Sequence, residues 1–173
     1  MKRLILASVF VIIYTTGFSQ TLQWYTIEEA LELNKKEPRK ILVDVYTNWC
    51  GWCKVMEKNT YDNKIIAEYI NKTFYNVKLN AEQKEDTKLG EKTYKFVPQG
   101  RRGYHELAAA FLDGKMSYPS VVFFDEKIRR LQAIQGYIKA KRFDEIVKFI
   151  GEDYFKTSTW DEFLANYESR ITE

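Results

Sequence analysis

The sequence predicts an α/β domain with one mixed central sheet flanked by helices on both faces. Three features predict it. Ile41-Leu42-Val43-Asp44-Val45-Tyr46, Phe74-Tyr75-Asn76-Val77-Lys78-Leu79 and Ser120-Val121-Val122-Phe123-Phe124 are short β-branched or aromatic runs, suited to strands covered on both sides. Residues at helical spacing separate the first two runs. The third is followed, a hairpin's length on, by Leu131-Gln132-Ala133-Ile134-Gln135. Strand–helix–strand followed by a hairpin and a helix makes a mixed sheet. With 173 residues, 45% hydrophobic, 16% aromatic and 29% charged, the composition is that of one globular domain rather than a disordered or fibrous chain.

The elements follow in order. Residues 1–19 combine Lys2 and Arg3 with an apolar run from Leu4 to Tyr14 and a small-residue exit, Gly17-Phe18-Ser19. That is the layout of a secretory signal peptide cleaved after Ser19, and the apolar run is short for a spanning helix. The domain then covers residues 20–173. Thr26 and Glu29 form a capping-box pattern ahead of Ile27, Ala30 and Leu31, and Pro38 ends that helix. Asp62-Asn63 starts another helix, through Ile65, Ile66, Tyr69 and Ile70. The polar stretch 81–102 reads as an inserted, partly helical excursion, followed by a short helix near His105–Leu112. Phe143, Ile146, Val147 and Ile150 mark a helical face, and Thr159 with Glu162 caps an extra C-terminal helix over about 159–168.

The chemistry is concentrated in Trp49-Cys50-Gly51-Trp52-Cys53-Lys54, placed directly after a buried strand and at the start of a helix. Two thiols so spaced on a first helical turn can close a disulfide. At the helix mouth, free backbone N–H groups and the helix dipole favour a Cys50 thiolate, and Cys53, one turn deeper, is expected to be the more buried. Lowering a thiol pKa from ~8.5 to ~7 raises the neutral-pH thiolate fraction from ~3% to ~50%. A purely structural disulfide is the plainer alternative, although so short a loop stabilises a fold by only about 2 kcal/mol. Zinc is short of ligands, since the chain has two Cys and the single His105, which is read as structural. Lys54 stands where haem attachment needs His. The net charge of +3 gives no support for nucleic-acid binding.

Tyr46-Thr47-Asn48-Trp49-Cys50-Gly51-Trp52-Cys53-Lys54 after an apolar strand resembles the active-site segment of the thioredoxin-like family, and the likeness runs from about Leu22 to about Ile150. The resemblance implies a thioredoxin fold and assigns roles. Asp44, six residues before Cys50, matches the buried proton acceptor for the second cysteine, and Lys78 matches its strand partner. Tyr118-Pro119-Ser120 resembles the cis-proline segment that docks substrate backbone, and Gly136 the glycine loop across the groove. Trp49, Gly51 and Trp52 complete the implied substrate surface, with at least one indole exposed. A carboxyl placed in an apolar strand should titrate high, as a proton shuttle requires. The plainer readings are a strand-end Asp bonded to backbone and a surface Lys on an edge strand.

The sequence departs from the family in its Gly51-Trp52 dipeptide, in Lys58 where the family places a helix proline, and in the long 81–102 stretch. The expected function is an exported, periplasmic thiol–disulfide oxidoreductase with no cofactor and no metal. It would act on protein or peptide disulfides and exchange electrons with a membrane or soluble partner. Asp44 and Lys78 incline the resemblance toward a reductant. The alternative is a binding module that holds a peptide or a soft ion such as Cu(I) without turnover.

Overall fold

The computed structural model describes residues 21–172; the signal-peptide expectation for 1–19 lies outside them. Four strands form the central sheet. β1 (Lys40–Tyr46) pairs in parallel with β2 (Phe74–Asn80) and antiparallel with β7 (Ser120–Phe124), which pairs antiparallel with β8 (Arg130–Gln135). The order β2-β1-β7-β8 puts β1 inside, and its first six residues are buried. That explains its mostly apolar run: both faces meet helices, so no position alternates toward water.

The helices divide into two layers. α1 (Ile27–Lys36) and α4 (Glu106–Phe111) cover one face. α2 (Gly51–Met56), α3 (Lys64–Thr73) and α5 (Ala140–Gly151) cover the other. Their starts are local chemistry. Thr26 and Glu29 form a complete capping box, and Asn63 Oδ1 accepts the N–H groups of Ile65 and Ile66. α6 (Trp160–Asn166) begins at a second box, Thr159 with Glu162. Behind it the chain is clasped to the core, because Tyr167 and Ser169 both donate to the buried Asp144 carboxylate. Among the described residues no helix is long and apolar enough to cross a membrane.

The 81–102 stretch differs from expectation: it is two small antiparallel pairs rather than partly helical. β3 (Thr87–Leu89) turns at Gly90 into β4 (Lys92–Tyr94), and β5 (Phe96–Val97) pairs with β6 (Tyr104–His105). Gly90, at φ 62°, supplies the left-handed residue that a two-residue hairpin needs. Gly103, at φ 128°, leaves the space into which the Phe96 ring fits. The excursion starts and ends at one place, since His105 N–H donates to Ala81 O and Ala81 N–H to Tyr46 O. His105 is not within a helix but caps α4. Its Nδ1 accepts the Leu107 N–H, which leaves Nε2–H to donate to Glu85 O.

Candidate active site

Cys50 and Cys53 are joined by a disulfide at the start of α2. Cys50 is the N-cap residue: its N–H donates to Thr47 O, and its Sγ accepts the Cys53 N–H at 3.0 Å. A sulfur so placed gains a donor that a thiolate uses better than a thiol. The helix continues from α2 as one π-helical stretch, Glu57–Tyr61, over the place where the sequence has Lys58 instead of proline. A π turn re-aims a helix by a local widening, without loss of a backbone donor. Here Thr60, on that stretch, donates its hydroxyl to Ile138 O, tying it to the segment before α5.

The structure corrects the expected exposure of the sulfurs. Cys50 is 4% exposed and Cys53 8%, so neither is open and Cys53 is not the deeper. As the N-cap of α2, Cys50 turns its sulfur toward the first helical turn, where it accepts the Cys53 N–H and bonds Cys53 Sγ, in a protein whose packing buries both residues.

Asp44 lies on β1, opposite Lys78 of β2 in the parallel register. The carboxyl is 2% exposed and its Oδ1 has no hydrogen-bond partner. Burial pushes its pKa up to about 6, against the pull of the Lys78 ammonium and with a push from Glu57. The buried Tyr61 hydroxyl faces this carboxyl and also pulls the Asp44 pKa down, while its own burial and the neighbouring Asp44 hold it protonated. Lys78 Nζ stands 3.7 Å from Asp44 Oδ2 and 2.8 Å from Glu57 Oε2, and lies over the rings of Trp24 and Tyr46. It is therefore no free surface lysine, although β2 is an edge of the four-stranded sheet. It links a buried acid to an exposed one. Replacing it, Lys78→Met, is expected to raise the Asp44 midpoint above about 6, because the main opposing charge disappears while Glu57 stays. A carboxyl-carbon NMR titration reads this, and an unchanged midpoint would show that the two groups are not coupled.

Both indoles are on the surface, Trp49 52% and Trp52 61% exposed. Trp52 lies against Tyr137, ring centroids 5.5 Å apart. Trp49 meets Tyr118 edge-on, donates Nε1–H to Glu82, and carries the Arg102 guanidinium 4.2 Å above its ring. Gly51, between them, is exposed with open space about its Cα. The Tyr118–Pro119 bond is cis, and Gly136 N–H donates to Pro119 O at 2.8 Å. Gly136 has φ 93°, a conformation that a Cβ disfavours, so glycine holds this loop against the proline. Burial by its own surroundings and the charge of Glu82 push the Tyr118 phenol up to about 12. Ser120 departs from its expected place on the substrate surface. It is fully buried, and its hydroxyl donates to Ser117 O, bracing the turn from within.

Glu57, Glu82 and Arg102 escaped the sequence reading, whereas Tyr137 adjoins the Gly136 of the glycine loop that the sequence singled out. Glu57 had a signal, four residues beyond Cys53 on the same helical run; Glu82 and Arg102 reach the site only through tertiary contacts. A groove of about 940 Å³ between β8, α5 and α6 shares Tyr137 with the site.

The model of the family Thioredox_DsbH, described as "Protein of unknown function, DUF255", matches residues 12–151. A 66-residue stretch is 32% identical to Spermatogenesis-associated protein 20 of Rattus norvegicus, covering 38% of this chain and 8% of that protein. Over 138 residues the chain is 22% identical to the Thiol:disulfide interchange protein DsbD of Pectobacterium atrosepticum, covering 74% of this chain and 20% of that protein. The chain thus spans a fifth or less of these relatives. The solved structure "DsbH Oxidoreductase" superposes with a TM-score of 0.57 at 19% identity, covering 84% of this chain and 95% of that one, which shows the thioredoxin fold.

Proposed function

The chain belongs to the thioredoxin-like Thioredox_DsbH (DUF255) family, and from that premise we propose that it is a thiol–disulfide oxidoreductase acting on protein or peptide disulfides. The observation that carries the proposal is the Cys50–Cys53 pair at a helix start, with one sulfur accepting a backbone N–H. In the reduced protein the Cys50 thiolate attacks a substrate sulfur. A Cys50–substrate disulfide forms, the substrate S–S bond breaks, and the first substrate thiolate leaves and takes up a proton. Cys53 then gives its proton to the Asp44 carboxylate, which at a pKa of about 6 is mostly ionised at neutral pH. The Cys53 thiolate attacks Cys50 Sγ, the Cys50–substrate bond breaks, the internal disulfide closes, and the second substrate sulfur leaves as a thiolate that takes up a proton. Two electrons pass from the dithiol to the substrate, and a partner dithiol returns them. The likeness of the Asp44–Lys78 pair to that of reducing thioredoxins supports the reducing direction; the base itself serves exchange both ways, taking the Cys53 proton in one and returning it in the other. Trp49, Gly51, Trp52, Tyr118, Pro119 and Gly136 are the substrate surface of this reading.

Export to the periplasm of a bacterium belongs to the same proposal and is supported by the charge and apolar pattern of residues 1–19. So does an assignment of the 81–102 excursion and α6 as additions to a thioredoxin-like domain.

The Cys53→Ser protein tests the reading. It is expected to accumulate covalent adducts with disulfide-bearing substrates, seen as dithiothreitol-sensitive bands on non-reducing gels; no adducts would overturn it. The 4% exposure of Cys50 favours a second reading, a thioredoxin-fold module that holds a peptide or Cu(I) without turnover. Alkylation of the reduced protein against pH separates the two. A catalyst requires a Cys50 midpoint well below the ~8.5 of a free thiol; slow, ordinary titration supports the module.

A further inference from the structure

We propose that the excursion between Ala81 and His105 builds a carboxylate-binding subsite beside the disulfide, with Arg102 as the residue that sets specificity. The preferred substrates are then disulfides in which an acidic side chain neighbours the attacked cysteine. This rests on the oxidoreductase reading and names the substrate class for it.

The excursion is sewn shut at its base by the bond from His105 N–H to Ala81 O, and from that base it brings two charged residues to one indole. Glu82, at its beginning, accepts the Trp49 Nε1–H at 3.1 Å. Arg102, near its end, stacks its guanidinium 4.2 Å above the same ring. Trp49 immediately precedes Cys50, so these contacts fix a cation over the residue that adjoins the cysteine pair. A guanidinium lying on an aromatic face keeps its N–H fork free in the plane of the group, in the geometry that grips a carboxylate through two bonds.

The charge on Arg102 is not taken up by a carboxylate, a condition it shares among the described residues with Arg101 and Arg170, and of these three Arg102 is the one that lies over Trp49. Arg39, Arg129, Arg130 and Arg142 each hold a carboxylate at 3.2 Å or less. Among the described residues no carboxylate lies within ion-pair distance of Arg102 or of its neighbour Arg101, and both are exposed. The acid bonded to this indole, Glu82, has its Oε1 occupied by the indole N–H, at the ring's edge rather than over its face. A substrate whose cysteine reaches Cys50 lays its flanking residues along Trp49, where the free fork of Arg102 meets them.

Two cystine peptides that differ only in Asp or Lys beside the bridged cysteines test the idea, with hydroxyethyl disulfide as a neutral third substrate for the native protein. The native protein is expected to favour the Asp peptide in kcat/KM by about tenfold at low salt, less at high salt. Arg102→Gln is expected to bring the ratio near one, and Arg102→Glu to invert it toward the Lys peptide; a merely structural prop for Trp49 does not yield such an inversion. Equal ratios in all three proteins, or a parallel loss of both peptides, overturn the proposal while turnover of the neutral disulfide leaves the oxidoreductase reading standing. If the native protein reduces none of the three, that reading falls and this one with it.

Discussion

Exchange of Cys50 for serine is expected to lower reduction of a protein disulfide such as insulin's by about a thousandfold or more, with the fold retained. Removing a nucleophile leaves only what positioning supplies, and a serine hydroxyl is hardly ionised at neutral pH. The fold is expected to persist for a local reason: Cys50 is the N-cap of α2, its sulfur accepting the Cys53 N–H, and serine is among the best residues for that bond. The cross-link is lost, but it closes so short a loop that the cost is about 2 kcal/mol against the oxidised protein. Circular dichroism and urea unfolding should therefore show a modest shift beside the collapse of turnover. Full activity in Cys50→Ser, with Cys53 intact, would remove Cys50 from the nucleophilic role. The low exposure of Cys50 sharpens this test, since a sulfur that never becomes accessible in the reduced state cannot account for any turnover that is measured.

Asp44→Asn is expected to stabilise the protein at pH 7 and slow it as a catalyst. In the folded chain the carboxyl titrates near 6; the ordinary value is 3.8. The folded state thus holds the proton more tightly than the unfolded one. Stability falls as pH rises from below 3.8 through about 6, and then levels off. The gap amounts to about 3 kcal/mol as an upper bound, because each pKa unit is about 1.4 kcal/mol. The advantage of Asn over Asp should be near zero at pH 3.5 and reach its full size above pH 7. Lys78 is not stranded by the change, since Glu57 remains 2.8 Å from its ammonium. Loss of the proton acceptor should lower turnover by about a hundredfold and erase an inflection near pH 6. Chemical unfolding at several pH values, beside a pH–rate profile, reads both effects. A variant no more stable than the native chain at pH 7, or one that keeps the inflection, would show that Asp44 is neither the strained acid nor the base.

Helix starts, the covered strand and the cysteine pair were legible because each rests on residues close together along the chain. Thr26 with Glu29, Asn63, and Thr159 with Glu162 start helices through bonds spanning three residues or fewer, and the apolar run of β1 announces a strand covered twice. The cysteine pair was legible for the same reason, because its spacing and its place after a strand are local facts. Tertiary structure alone decided the rest. The polar excursion carried too little apolar periodicity to distinguish hairpins from helix, and Gly90 and Gly103 settle it only once Phe96 and the strands are in place. The burial of Ser120 and the covering of both sulfurs follow from packing that composition does not encode. Glu57 reaches Lys78, and Glu82 and Arg102 reach Trp49, across 21, 33 and 53 residues of chain. A charged side chain looks the same in sequence whether it faces water or another element, and only the meeting of those elements gives it a partner.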